Sequence, residues 1–275
     1  MADQEEIIFQ GKKFYSYDQV LAYIAKITGR FDRDLNKQRL RLSYDAGWQA
    51  TQKDYSTSGV SSHVSVHFKN LENSLVSLIE KADVVVGCVA WLTNERILQS
   101  LSHKLAVSII VQKEDFLRPD SQDFSKNTLR RLYRKIPGLY RSNKGTVEAA
   151  VLETDQMLSD AVEVEGIRCL GFNRNTSRVE PNMHHKFVVF CKYEPGIGPD
   201  LFSGQYGFIE PYGVWTGSFN FTYNSTKSLE NAVYIADEHL AQAYFSEWGQ
   251  VAALSESLDW RTSYINPDFS IGSGT

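Results

Sequence analysis

Two adjacent histidines and a lysine open an apolar run in the segment NMHHKFVVFCKYE, residues 182–194. Because alternate side chains of a β-strand share a face, His184 and Lys186 are expected to point the same way, and His185 the other way. An imidazole can attack or protonate a substrate, and a neighbouring ammonium can stabilise the negative charge that develops. The pair suited to chemistry is therefore His184 and Lys186, in an H-x-K arrangement.

A metal site is the first alternative for these histidines. Adjacent histidines on opposite faces of a strand cannot easily bind one ion, and no carboxylate or cysteine stands at ligand spacing on the His184 face. The second alternative is a hydrogen-bonded histidine at a strand edge, with no chemical role. We therefore expect no metal and no other cofactor.

A second motif, TGSFNFT at residues 216–222, weakens the purely structural alternative. Gly217 is predicted to permit a tight bend, and Ser218 and Asn220 are spaced to share a face. Hydroxyl and amide donors beside a histidine and a lysine suit the non-bridging oxygens of a phosphodiester. Downstream, the segment SLENAVYI supplies Glu230, a carboxylate able to orient an imidazole.

The order H-x-K, strand, G-S-x-N and S-x-E-N-A-V resembles the phospholipase D-like superfamily, and above all its small bacterial endonucleases with one motif per chain. The likeness covers roughly residues 60–255. It implies an α/β/α sandwich around a mixed sheet, and phosphodiester hydrolysis through a phosphohistidine without a metal.

The same resemblance implies a role for each motif residue. His184 would be the nucleophile or the acid, and Glu230 would orient it. Lys186 and Asn220 would bind the phosphate oxygens, with Ser218 as a supporting donor.

This chemistry needs two histidines at one phosphorus, one attacking and one protonating the leaving oxygen. A second H-x-K, at residues 67–69, precedes a helix and no G-S-x-N follows it, so we interpret it as chance. With one motif per chain, the family solution implies a two-fold homodimer with a composite site.

Two features depart from the family pattern. Cys191 stands five residues after Lys186, where the family has a supporting aspartate. The stretch 192–213 is longer than in compact members and rich in glycine and proline. It predicts an inserted hairpin or loop, which is a lid, a substrate guide or only a decorated turn.

A basic cluster within residues 126–144 favours a nucleic-acid substrate, DNA or RNA. No acid interrupts it, and Tyr133 and Tyr140 are interleaved with its cations. Cations bind a phosphate backbone and aromatic rings stack bases, although a solvated helix face is the alternative. The cations of the cluster are Lys126, Arg130, Arg131, Arg134, Lys135, Arg141 and Lys144.

Two other functions stay open. A phospholipid phosphodiesterase would need a membrane-binding surface, for which Phe202, Tyr206 and Phe208 are the faint candidates. A catalytically impaired nucleic-acid-binding dimer is supported by Cys191 alone.

Composition places few limits on these functions. A net charge of −4 excludes a globally basic protein, so any nucleic-acid binding must come from a local patch. The three cysteines are far apart and form no CxxC pair, which argues against a disulfide scaffold or a zinc ribbon. The acidic first residues do not resemble a signal peptide, and no apolar run is long enough to span a membrane. We therefore predict a cytoplasmic location.

Apolar strands alternate with amphipathic helices, which predicts an α/β fold with a largely buried sheet. Strands are predicted at VSVHF, DVVVGCVAWL, AVSIIVQ, GIRCLGF, MHHKFVVF, VWTG and NAVYIAD. Helices are predicted at NLENSLVSLIEKA, at NERILQSL with Thr93 as its cap, and at DEHLAQAYFSEWGQVAALSESL. We divide the chain into an N-terminal extension of unknown role (1–58), a catalytic domain (59–262) and a C-terminal tail (263–275).

Overall fold

The computed structural model describes residues 7–15, 19–20, 23, 63–142, 161–173, 182–195, 207–263 and 265. Most of the predicted extension (1–58) lies outside these residues. The middle of the predicted insert, 196–206, lies outside them as well, and so does nearly all of the tail.

The described residues contain a small N-terminal hairpin and a large sheet with helices on both sides. The strands are β1 Ile7–Phe9, β2 Lys12–Phe14, β3 Val64–His67, β4 Val84–Val89, β5 Ala106–Gln112, β6 Leu139–Ser142, β7 Ala161–Val164, β8 Ile167–Leu170, β9 Lys186–Pro195, β10 Gly207–Gly217 and β11 Ala232–Ile235. The α-helices are α1 Leu71–Lys81, α2 Glu95–Leu101, α3 Asn127–Tyr133 and α4 Glu238–Ala253. The seven predicted strands and three predicted helices are confirmed.

The central sheet has seven strands in the order β3-β11-β10-β9-β4-β5-β8. β4, β5 and β8 are parallel, whereas β9, β10, β11 and β3 continue the sheet in antiparallel pairs. β9 and β10 stay paired up to Pro195 and Gly207. The described parts of the predicted insert, 192–195 and 207–213, therefore continue these two paired strands. The sheet is therefore mixed, as predicted.

Two apolar clusters cover the two faces of this sheet. One packs helices α1, α2 and α3 against one set of strand side chains, and the other packs α4 against the alternate set. All six residues of β4 are buried, because both faces of this central strand are covered. The fold is an α/β/α sandwich, and its three cysteines are buried and form no disulfide with one another.

The cap of α2 differs from the prediction by one residue. Asn94, rather than Thr93, is the N-cap, and its side-chain oxygen accepts from the backbone N–H groups of Arg96 and Ile97 at 3.0 and 3.1 Å. The N–H of Thr93 is instead bonded to the carbonyl oxygen of Phe221. The N–H of Asn94 donates to the same oxygen, so the helix begins one residue later than predicted although both residue types are good caps.

Candidate active site

The two residues of the H-x-K motif are in direct contact at the start of β9. Nζ of Lys186 lies 3.1 Å from Nε2 of His184 and 3.0 Å from the carbonyl oxygen of the same histidine. His184 is exposed and Lys186 is partly buried. An ammonium that donates to Nε2 leaves the imidazole neutral, with its proton on Nδ1.

The predicted alternation of faces is confirmed along β9. Val188 and Phe190 belong to the apolar cluster of α1, α2 and α3, whereas Phe187 and Val189 belong to the cluster of α4. His185 lies on the α4 side, with its Nε2 3.3 Å from Oε1 of Glu247. The two adjacent histidines therefore face different partners.

Hydrogen bonds at one end of the inner strands β4, β5 and β9 hold the segment before β9. The N–H of Ala90, just after β4, donates to the carbonyl oxygen of His185. The fully buried Gln112, at the end of β5, accepts from the N–H of Met183 through Oε1 at 2.8 Å. Sequence reasoning missed Gln112, although a single amide that ends an apolar strand is a recognisable signal. Its side chain positions the residue next to His184.

The second motif lies beside the first because of strand register. β9 and β10 pair Phe187 with Thr216, so Lys186 and Gly217 are the next residues outward on their strands. Gly217 is needed for close approach, because an added Cβ would lie 2.2 Å from the carbonyl oxygen of Asn231. The chain also bends at the next residue, Ser218, so the close approach is a reason for this glycine beyond the predicted bend.

Ser218 is tied to the S-x-E-N segment by four hydrogen bonds. Its Oγ donates to Oε2 of Glu230 at 2.5 Å and accepts from the N–H of Asn231 at 3.0 Å. Its own N–H donates to the side-chain and main-chain oxygens of Asn231. β10 ends at Gly217, so the strand argument for a face shared by Ser218 and Asn220 was wrong.

Glu230 acts electrostatically on the lysine of the first motif. Burial lowers the pKa of Lys186 from its usual value, and the charge of Glu230 partly offsets this by favouring the ammonium. The described hydrogen bond of Glu230 goes to Ser218, so its orientation of His184 stays a prediction.

Asn220 has a buried amide oxygen that accepts no hydrogen bond from the described residues. Phe219 and Phe221 on either side of it are buried, which fixes the segment. Leaving a buried acceptor unpaired costs about 1–3 kcal/mol, so a purely structural residue would be disfavoured here.

Cys191 lies inside the fold rather than at the site. It is fully buried in the cluster under α4 and pairs with Val84, whereas Lys186 pairs with Val89 at the other end of β4. Burial raises the pKa of its thiol well above the usual value, so it stays protonated. Cys191 therefore contributes to the apolar core and lies away from Lys186.

Arg130 differs from the other members of the basic cluster. Arg131, Arg134 and Lys135 are exposed, but Arg130 is only 7% exposed. Its guanidinium donates to three oxygens of the protein itself, on Phe116, Asp123 and Asn127. Arg130 therefore holds its own loop together and is not placed to bind a phosphate backbone.

The other cations of the cluster give less evidence about a binding surface. Lys126 is partly buried and lies over the ring of Phe116. For Arg141 only the backbone in β6 is described, and Lys144 lies outside the described residues. Arg130 and Arg134 line a cavity of about 540 Å³ that includes no motif residue. The basic cluster therefore stays a predicted binding surface.

Sequence reasoning also missed Trp91, in the loop after β4. Its ring stands nearly perpendicular to that of His184, with 6.1 Å between the centroids. Its indole N–H donates to Oε1 of Glu114 at 3.2 Å, and its carbonyl oxygen accepts from the N–H of Phe221. Trp91 thus connects the two motifs and is partly exposed beside the histidine.

The predicted chance motif at residues 67–69 lies on another strand. His67 ends β3 and pairs with Ala232, and its ring packs on Trp215 with 5.0 Å between centroids. Within the described residues, no group of three or more histidine, cysteine, aspartate or glutamate side chains is suited to hold a metal ion. No described helix is long and apolar enough to cross a membrane.

An H-x-K pair at the start of one central strand, with G-S-x-N at the end of its neighbour, is the arrangement that resembles the phospholipase D-like superfamily. The chain belongs to the same protein family as "Uncharacterized protein L381" of Acanthamoeba polyphaga mimivirus, to which it is 34% identical over 209 residues. That match covers 72% of this chain and 68% of the viral protein. No protein-family model matches the chain.

Two solved structures are similar at lower levels. NucT from Helicobacter pylori is 14% identical with a TM-score of 0.44, and the match covers 70% of this chain and 98% of NucT. Nuc from Salmonella typhimurium, a phospholipase D family member, is 19% identical with a TM-score of 0.41, and the match covers 72% of this chain and 98% of Nuc. Likeness at these levels carries no argument about activity, so the functional assignment depends on the motif residues.

Proposed function

We propose that the protein is a metal-independent phosphodiesterase that cleaves nucleic acid through a phosphohistidine intermediate. The observation that carries this proposal is the contact of Lys186 with His184, beside the loop in which Ser218 is bonded to Glu230. His184 and Lys186 at the start of β9 and Ser218 just after the end of β10 lie at the same end of the sheet, and Asn220 is two residues further along the chain. These groups match what phosphoryl transfer requires of a protein.

The proposed reaction has two displacements at one phosphorus. Lys186 first transfers its hydrogen bond from Nε2 of His184 to a phosphoryl oxygen, which frees the lone pair of the neutral imidazole. Nε2 then attacks the phosphorus, the bond to the leaving oxygen breaks, and a second, protonated imidazole gives that oxygen a proton. Lys186 and the amide of Asn220 stabilise the charge on the phosphoryl oxygens. Water then attacks the phosphohistidine, gives a proton back to the second imidazole and releases His184. Protons and electron pairs balance without a cofactor.

The second imidazole is supplied by a second copy of the chain. His184 is exposed, so a two-fold axis beside β9 would bring two copies of it to one phosphate. The two histidines share one site and titrate as a coupled unit, which gives a bell-shaped pH–rate profile.

Nucleic acid is the substrate best supported by charge. The exposed Arg131, Arg134 and Lys135 form a local basic surface on a protein whose net charge is −4. A local surface of this kind binds a polyanionic backbone in a salt-dependent manner.

The test is hydrolysis in EDTA of four substrates: single-stranded DNA, duplex DNA, RNA and phosphatidylcholine vesicles. We expect cleavage of nucleic acid and a loss of about 10³-fold or more in His184→Ala. The matched control is His185→Ala, which removes the adjacent histidine on the other face together with its exposed pair with Glu247 and its ring contact with Phe187. Equal activity of the two variants, or hydrolysis of the vesicles alone, would overturn the proposal.

A further inference from the structure

Two aromatic side chains border the motif residues, and neither is used by the proposed chemistry. Trp91 is partly exposed next to His184, and Tyr223, three residues after Asn220, is 66% exposed. We define these two residues as the aromatic rim. Large rings at the mouth of a site, rather than in the core, suit contact with a flat ligand.

The backbone holds both members of the rim in one unit with the second motif. The carbonyl oxygen of Phe221 accepts from the N–H groups of Thr93 and Asn94, and the N–H of Phe221 donates to the carbonyl oxygen of Trp91. Asn220 directly precedes Phe221 in the chain, and Tyr223 follows it by two residues. The segment that carries the proposed phosphate ligand is thus bonded directly to the segment that carries the indole.

The loop that carries Tyr223 is itself ordered by hydrogen bonds. The N–H of the buried Ser225 donates to Oγ1 of Thr222 at 3.1 Å, and Oγ1 of Thr226 donates to the carbonyl oxygen of Tyr223 at 2.7 Å. Nζ of Lys227 lies 4.4 Å from the centroid of the Tyr223 ring. The exposed ring is therefore presented on a fixed turn with a cation over one of its faces, which lowers the cost of ordering the ring on binding.

We infer that the aromatic rim stacks on the bases of unpaired nucleotides next to the scissile phosphate, so that the substrate is single-stranded nucleic acid. This inference rests on the proposed function. With 6.1 Å between the ring centroids of Trp91 and His184, a phosphate held at His184 places its own nucleoside within reach of the indole. Stacking on a protein ring needs a base that is not inside a duplex.

The polar groups beside each ring favour a nucleotide over an acyl chain. The indole N–H is bonded to Glu114, and the ammonium of Lys227 lies over Tyr223. A nucleotide offers a flat base to each ring and a phosphate to the ammonium. An acyl chain would meet a carboxylate and an ammonium at the same places, at a cost in desolvation.

The test is binding in a His184→Ala background, which prevents cleavage during the measurement. Fluorescence anisotropy would compare a labelled single-stranded oligonucleotide, the same strand with abasic sites, and its blunt duplex. We expect the intact strand to bind roughly five- to hundredfold more tightly than the abasic strand. Trp91→Ala and Tyr223→Ala should each reduce that ratio, and Trp91→Phe should keep part of it.

The matched control is Leu105→Ala, which truncates a side chain that is 60% exposed. Leu105 precedes β5, at the end of the sheet opposite Gln112 and the motif. This variant should keep the full ratio. Equal binding of intact and abasic strands, or an unchanged ratio in both Trp91→Ala and Tyr223→Ala, would overturn the inference. Binding to phosphatidylcholine vesicles that is lost in the same two variants would overturn it in favour of a lipid.

Intrinsic fluorescence gives a second readout that a purely structural role of Trp91 would not change. The other described tryptophans, Trp215, Trp248 and Trp260, are 1%, 3% and 6% exposed, so a bound base cannot stack on them. The fifth, Trp48, lies outside the described residues, so every sample of this test carries Trp48→Phe. A single strand should quench the emission, and Trp91→Phe should remove most of that quenching. These binding results are independent of turnover. A wild-type protein that hydrolyses no phosphodiester would refute the proposed function. The inference about the aromatic rim is tested by the ratio of affinities for the intact and the abasic strand.

Discussion

Lys113 and Glu256 form an ion pair that is almost completely excluded from water, with side chains 0% and 2% exposed. Nζ of Lys113 also donates to the carbonyl oxygen of Thr262 at 3.1 Å and lies 5.0 Å from the centroid of the Trp260 ring. The pair thereby fastens the C-terminal segment to the end of β5. Glu114, the residue after Lys113 in the chain, accepts the hydrogen bond of the Trp91 indole N–H.

We expect the loss of either member of this pair to destabilise the protein strongly. Lys113→Met or Glu256→Gln should each lower the free energy of unfolding by about 3–5 kcal/mol, because an uncompensated charge or an unpaired polar group stays buried. The double variant Lys113→Met with Glu256→Leu should recover much of this loss. Urea denaturation would measure all four free energies, and single variants within about 0.5 kcal/mol of the wild type would contradict the expectation.

The pH dependence of the reaction should report the charge of Lys186. The two histidines set the first fall of activity on the alkaline side, and loss of the Lys186 charge should steepen that fall at higher pH. Burial lowers the pKa of the Lys186 ammonium and Glu230 partly offsets this, so the second fall should lie below the usual range for lysine. We refer to this second fall as the alkaline limb. Glu230→Gln removes the contribution that raises the pKa, so the alkaline limb should move to lower pH. The measurement is kcat/KM as a function of pH.

Two comparisons make this pH test specific. Lys186→Arg replaces the titrating group by a guanidinium that stays charged, so its remaining activity should lack the same alkaline limb. Glu247→Gln removes a carboxylate that pairs with His185 on the other face, and it should leave the limb in place. A shift to higher pH in Glu230→Gln would rule out the proposed electrostatic role.

Most of the sandwich could be predicted from periodicity. β4 and β5 are continuous apolar runs because helices cover both of their faces, and α1 and α4 have apolar stripes at helical spacing. β6 and β7 were not predicted, since they are short and pair only with each other. Strand order could not be read from the sequence, because the neighbours of β9 on the sheet, β4 and β10, are set by long-range packing.

Only part of the candidate site could be predicted in the same way. The motifs H-x-K and G-S-x-N indicated His184, Lys186 and Ser218, since residue type and spacing determine which groups can act on a substrate. The contacts that position them are distant in sequence, such as Gln112 with Met183, and no local pattern reveals them. The burial of Arg130 was missed for a related reason: two of its three partners are the main-chain oxygens of Phe116 and Asp123, which have no sequence signature.

Restoring the family's aspartate at residue 191 should harm the fold and leave the chemistry unimproved. Cys191 is fully buried among apolar side chains, so Cys191→Asp should lower the free energy of unfolding by several kcal/mol, on the order of the cost of a buried unpaired carboxylate. Cys191→Ala should cost about 1–3 kcal/mol and keep the wild-type kcat/KM at temperatures where it is folded. Thermal unfolding and hydrolysis would be measured on the same samples, and higher activity in Cys191→Asp would show that the position supports the site directly.

The composite site can be tested by mixing subunits. If both imidazoles at one phosphate come from different chains, a dimer of wild type and His184→Ala has no complete site. Random exchange of equal amounts should then leave about a quarter of the wild-type activity, because only dimers of two wild-type chains remain active. Independent sites in each chain would leave about half. The control is the same mixture with His185→Ala, which should keep nearly full activity, and size-exclusion chromatography with light scattering would establish that the mixed species are dimers.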